Sequence, residues 1–189
     1  AKLTGITYHS PIPSAQVKSA LLLAGLNAEG KTKVYEKTLS RNHTEMMLKY
    51  LGANIITGKD EQGFYTEIEK SSLIPKDIEV TGDISSAAFF MVAGAIIENS
   101  EILIKNVGIN PTRSGIIDIF KQAEINFELL NQRKVTNELT ADIKVNYTPD
   151  IKPFEVSGDI TLKTSLRMRK TNQIQCVGEF HPFIYEPEK

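Results

Sequence analysis

Apolar residues early in the chain recur at helical spacing in two runs and at alternate positions in the segments between them, and this order then repeats. Gly5 to Ser10 reads as an opening strand, stopped by Pro11 and Pro13. Ser14 stands where a helix cap belongs, and the helix predicted behind it runs to about Asn27, ended by Glu29-Gly30. Alternation predicts a strand over Thr32 to Lys37. Asn42-His43-Thr44-Glu45 has the spacing of a capping box, opening a helix to about Leu51-Gly52. Ala53 to Thr57 and Phe64 to Glu69 are then expected to form a hairpin around Lys59-Asp60-Glu61-Gln62-Gly63.

The same series returns further along the chain at one fixed offset and without a gap, a repeat that constrains the fold more than any single element. Gln16 to Ala24 falls on Ser86 to Gly94, Thr32-Lys33-Val34-Tyr35 on Ile102-Leu103-Ile104-Lys105, and Thr44 to Leu51 on Ser114 to Lys121. The second unit is expected from Ile78 to Tyr147, opening on a strand and ending with a longer loop near Gln132 to Glu138. A third start is visible where Glu79-Val80-Thr81-Gly82-Asp83-Ile84 recurs as Glu155-Val156-Ser157-Gly158-Asp159-Ile160. Each unit reads strand, helix, strand, helix, strand, strand, which places two helices on one face of a small sheet in an α+β arrangement. Asp83 and Asp159 read as helix caps. After Ile160 the pattern fails: Lys163, Arg167, Arg169 and Lys170 fall where an apolar helix is due, so the third unit is expected to be truncated and irregular.

Composition narrows the classes. The chain has 189 residues, 41% apolar and 24% charged, with a formal net charge of −1. No overall basicity therefore argues for a nucleic-acid partner. Its single cysteine, Cys176, and three scattered histidines provide neither a disulfide framework nor a recognisable metal site. No apolar run reaches the length of roughly 18 residues that a spanning helix needs. Ala1 to Gly5 has no signal-like character, so a cytoplasmic chain cut from something longer is expected.

Four motifs carry a family resemblance: Pro13-Ser14-Ala15-Gln16-Val17-Lys18-Ser19-Ala20, Ser40-Arg41-Asn42-His43-Thr44-Glu45, Gly82-Asp83-Ile84-Ser85-Ser86-Ala87-Ala88-Phe89, and Asn106-Val107-Gly108-Ile109-Asn110-Pro111-Thr112-Arg113-Ser114-Gly115. In this order they resemble the 5-enolpyruvylshikimate-3-phosphate (EPSP) synthases, from Leu3 to about Ile160. The resemblance implies repeated βαβαββ units of the enolpyruvyl transferase, or inverse α/β barrel, architecture, here as two partial domains. Residues 1–76 would be the last unit of an N-terminal domain, and 77–189 one full unit and a truncated one of a C-terminal domain. It further implies transfer of the enolpyruvyl group of phosphoenolpyruvate to shikimate 3-phosphate, in aromatic amino acid biosynthesis, with no cofactor and with a monomeric full enzyme. The segments that grip phosphoenolpyruvate would lie before this chain's first residue.

Ser14, Ala15 and Gln16 stand at a helix start, where unpaired N–H groups and the helix dipole favour an anion. Ser14 is a plain cap on one reading and, by the resemblance, a contact to shikimate 3-phosphate on the other. Ser40 and Arg41 precede the second helix; Arg41 is either an exposed surface residue or a two-pronged phosphate clamp. Lys18 and Arg113 are expected to be solvated or structural; His43 has the look of a general base, but its neighbours Asn42 and Glu45 fit a capping role and no acceptor is placed for it, so a catalytic role is disfavoured. By resemblance the family's general-base aspartate sits on the helix missing after Ile160, so no catalytic residue is assigned. Leu166 to Ile174 resembles a family stretch Leu-Arg-Val-Lys-Glu-Thr-Asn-Arg-Ile, with Arg169 for lysine, Lys170 for glutamate and Gln173 for arginine. A protonated lysine accepts no proton, so the chain alone is expected to be inactive and, as a partial repeat, open to association. Two other readings stand beside this one: a non-catalytic binding module of the same repeat, and a fragment of the related UDP-N-acetylglucosamine enolpyruvyl transferases. An RNA-binding sheet is disfavoured because Tyr50, Phe89, Phe90 and Phe120 fall in helical runs that look like core.

Overall fold

The computed structural model describes residues 2–154, together with the backbone of 166–168 and 174–176. The chain divides into two compact units, residues 1–80 with 134–138, and residues 81–133 with 139–189.

In the first unit β1 (Thr7–His9), β2 (Lys31–Glu36), β3 (Ile55–Asp60) and β4 (Gly63–Glu69) form one sheet in the order β1-β2-β4-β3. The pair β1–β2 is parallel and needs a crossover, which α1 (Ala15–Gly25) supplies; the other pairs are antiparallel. α2 (His43–Tyr50) joins β2 to the β3–β4 hairpin. Strand alternation turns Thr32, Val34 and Glu36 to one face. There Val34 packs with Leu22 and Leu26 from the α1 end, Leu48 of α2, and Ile55 and Ile68 of the hairpin. Both helices therefore cover one side of the sheet.

Gly25 lets α1 approach that closely. A Cβ on it would stand 2.7 Å from Ile68 Cγ2 and 2.9 Å from Thr32 Cβ. Gly25→Ala is expected to lower the unfolding free energy by about 1–3 kcal/mol through overpacking. Urea denaturation reads this directly, and an unshifted midpoint would contradict the contact.

The second unit repeats the plan with α3 (Ile84–Ile96), β5 (Glu101–Gly108), α4 (Gly115–Gln122), β6 (Phe127–Val135) and β7 (Glu138–Asn146), in sheet order β5-β7-β6. Ala87, Met91 and Ala95 of α3 and Ile117 and Phe120 of α4 share one core with Val107, Ala141, Ile143 and Val145. Beyond the second unit's sheet, β8 (Leu166–Met168) pairs antiparallel with β9 (Ile174–Cys176).

The structure corrects five expectations. The strand due at Ile78 is reduced to a single parallel bridge, Gly82 to Val107, closed by Gly82 N–H to Asn106 O at 2.7 Å and Gly108 N–H to Gly82 O at 2.9 Å. The longer loop near Gln132 to Glu138 is a two-residue turn. Thr136 (φ 46°) and Asn137 (φ 68°) take the left-handed conformation there, which is what a tight hairpin needs. The hairpin of the first unit is likewise tighter than expected: β3 runs on to Asp60, whose Oδ1 accepts the Gln62 N–H at 2.9 Å. The Asn42 side chain makes no capping hydrogen bond, and the Glu45 carboxylate that would complete the box turns inward to Lys18 instead. Phe89 and Phe90 are 54% and 62% exposed rather than core. α3 is apolar on every side, one side is enough to cover its own sheet, and the remaining apolar positions face outward. The expectation that these aromatics are core, which weighs against an RNA-binding sheet, is thereby removed for Phe89 and Phe90. The expectations for Asp159 and for the segment directly following Ile160 lie outside the described residues.

Candidate functional site

In the first unit two helix starts are built next to one another. Ser14 occupies the extended N-cap position of α1 (φ −140°, ψ 107°), and its Oγ accepts the Val17 N–H at a long 3.4 Å. Ala15 and Gln16 open the helix, so their N–H groups have no acceptor within it, and Gln16 is exposed. Ser40 and Arg41 lie between β2 and α2, with Arg41 exposed. Ser40 Oγ is fully buried and has no hydrogen-bond partner among the described residues. A buried hydroxyl left in this state is rare enough to need a reason.

Lys18 joins the two starts. It lies one turn into α1 on the Ser14 side, its own N–H donating to Ser14 O at 3.0 Å. Its ammonium is only 1% exposed and donates to Glu36 Oε2 of β2 at 2.8 Å. It stands 2.8 Å from Glu45 Oε1 of α2 and 3.5 Å from the carbonyl oxygen of Ser40. The hydroxyls of Ser19 and Thr44 meet at 2.6 Å alongside. Of the two expectations for Lys18, solvated or structural, the second holds: it is a buried node linking α1, β2, the 37–42 segment and α2. Sequence reasoning passes over this cluster although a signal is present: Glu36 follows Val34 at the inward alternation of its strand, and an inward acid requires a cation.

The second unit has a related but simpler arrangement at the start of α3. Asp83 caps the helix, accepting the Ser86 N–H and Oγ–H at 3.0 Å each. Arg113 donates to Asp83 Oδ1 at 2.7 Å and to Ser85 Oγ at 3.1 Å, so this arginine is paired. Desolvation pushes the Asp83 carboxyl up, but the Ser86 hydrogen bonds and the Arg113 charge outweigh it and the net displacement is downward. A lowered folded-state value means that its stabilisation is complete above the ordinary aspartate value of about 3.9 and is lost as pH falls through the native one. Asp83→Ala is expected to cost about 1 kcal/mol at neutral pH. Unfolding curves of the two proteins should converge as the medium is acidified below that range; a difference independent of pH would contradict the assignment.

Residues 1–166 match the family model for EPSP synthase (3-phosphoshikimate 1-carboxyvinyltransferase). The chain belongs to the EPSP synthase family. It is 51% identical over 158 residues to the 3-phosphoshikimate 1-carboxyvinyltransferase of Geotalea uraniireducens, covering 84% of this chain and 36% of that protein. It is 52% identical over 164 residues to the enzyme of that name from Staphylococcus haemolyticus, covering 86% of this chain and 37% of that one. Among solved structures, the EPSP synthase of Acinetobacter baumannii superposes with a TM-score of 0.76 at 40% identity, over 86% of this chain and 36% of that one. The mixed α/β fold is therefore that of the EPSP synthases, and the chain spans about a third of the length of the curated relatives it matches. Arg169, Lys170 and Gln173, expected to be substituted positions of a family stretch, lie outside the described residues and beyond residue 166, where the family match ends. Among the described residues no group of three His, Cys, Asp or Glu side chains is placed to hold a metal ion, and no helix is long and apolar enough to cross a membrane.

Proposed function

We propose that this chain supplies the phosphate-gripping part of an enolpyruvyl transferase. That enzyme moves the enolpyruvyl group of phosphoenolpyruvate to shikimate 3-phosphate and releases phosphate. Ser14, Ala15 and Gln16 bind shikimate 3-phosphate through a hydroxyl, helix-start N–H groups and a side-chain amide. Ser40 and the Arg41 guanidinium close on the same phosphate from the start of α2. The observation that carries this reading is the pairing of the two helix starts through Lys18, with the unpartnered Ser40 hydroxyl beside it. Two positive helix ends on one side of a sheet favour one anion more than either does alone. A cytoplasmic place of action belongs to the same proposal.

Arg41→Ala removes a charge-assisted contact and is expected to weaken shikimate 3-phosphate binding by about 1.5–3 kcal/mol, roughly ten- to a hundredfold. Calorimetric titration of both proteins decides it. Equal affinity in the variant would refute the clamp.

A further inference from the structure

We propose that Lys18 is a positioning residue for this anion site, holding the 37–42 segment so that Ser40 and Arg41 face the same ligand as the start of α1. The inference rests on the reading of Ser14 to Gln16 and Ser40-Arg41 as one phosphate site. Residues 37–41 belong to neither β2 nor α2, and only the N-cap residue after them, Asn42, takes part in the helix hydrogen bonding through its carbonyl, which accepts from Met46 N–H at 3.1 Å. Lys18 reaches three places around that segment. Glu36 closes β2 immediately before it, Glu45 lies in the first turn of α2 immediately after it, and the Ser40 carbonyl lies within it. One buried ammonium thus determines where the segment leaves the sheet, where it enters the helix and how its middle lies against α1.

The chemistry suits a fixed node better than a stability device. Two carboxylates share one ammonium in a site where Lys18, Glu36 and Glu45 are 1%, 3% and 4% exposed. Glu36 Oε1 and Glu45 Oε2 are buried without hydrogen-bond partners among the described residues. Apolar residues of similar volume would fill the space without stranding those oxygens, since buried ion clusters are weak contributors to stability. What they would not reproduce is the directional hold on two side-chain carboxylates, Glu36 and Glu45, and on the Ser40 carbonyl. Phosphate affinity depends on that hold, because binding groups must stand within a fraction of an ångström of their working positions.

The test separates placement from simple loss of stability. Lys18→Met strands two carboxylates and is expected to unfold readily, so the informative protein is Lys18→Met/Glu36→Gln/Glu45→Gln, which keeps the volume and removes the buried charges. Stability by urea denaturation, shikimate 3-phosphate affinity by calorimetry and amide hydrogen exchange across residues 38–42 are measured for this variant, the parent and Arg41→Ala. The triple variant is expected to be folded and to bind about tenfold more weakly, the worth of one well-aligned charge-assisted hydrogen bond. Its 38–42 amides should exchange about tenfold faster, while those of β4 stay as protected as in the parent. A folded triple variant with parental affinity and exchange overturns the positioning role but leaves the Arg41 clamp standing. A parent protein that does not bind, or an Arg41→Ala protein that binds equally well, overturns the site itself and this inference with it. If the triple variant does not fold, the exchange of 38–42 in the parent decides. Protection near that of β4 supports the node, and exchange at the rate of open chain overturns it.

Discussion

No phosphate is expected to be released when the 189-residue chain alone is given shikimate 3-phosphate together with phosphoenolpyruvate. The chain corresponds to about 36% of its relatives' length, and the substrate residues proposed above are assigned to only one of the two reactants. Enolpyruvyl transfer requires two anions to be held together against their repulsion and a proton to be moved at the double bond. Holding reactants in register is worth about 7–11 kcal/mol of barrier, and a placed acid or base adds about 10²–10⁴ in rate. The expected result is therefore binding without turnover. Turnover comparable to an intact enzyme, from a preparation shown to contain only this polypeptide, would contradict the partial-site reading.

The second large effect is on stability. Lys18→Met is expected to cost about 3–5 kcal/mol, the usual penalty for removing one partner of a buried ion pair. Here two acids, Glu36 and Glu45, lose their shared cation at once. Against a total of about 5–15 kcal/mol for an ordinary domain, such a loss removes a large share of the stability, and all of it for a domain at the lower end of that range. Pairing the change with Glu36→Gln and Glu45→Gln should restore most of it, because the cost lies in the stranded charges. A loss below about 1 kcal/mol, the range of an exposed pair, would show that the cluster is open to water in solution.

Most of the fold is legible in the sequence, and the repeat makes it so. Each long apolar run has a counterpart of matching order, and Ser14 and Asp83 each cap the helix expected behind them. What escapes a reading of the sequence depends on contacts between distant positions. The Asn42-Glu45 box reads as local chemistry, but the Glu45 carboxylate goes to a buried ammonium that no local reading of the sequence reveals. The turn at Thr136-Asn137 lacks the glycine that usually marks a tight hairpin, so its strands run further than expected. Phe89 and Phe90 look like core because an apolar helix ordinarily is, and the sequence of one element does not state how many of its sides are covered. The candidate site divides in the same way. Ser14, Ala15, Gln16, Ser40 and Arg41 follow from motifs, whereas the role of Lys18 is visible only with α1, β2 and α2 in place around it.

The most direct test of the proposed site is a heteronuclear NMR titration of the labelled chain with shikimate 3-phosphate. The amide resonances of Ala15, Gln16, Ser40 and Arg41 are expected to move together along one saturable curve, with those of the β3–β4 hairpin unmoved. Shifts confined to other residues, or none at millimolar ligand with the chain folded, would contradict a phosphate site at these two helix starts.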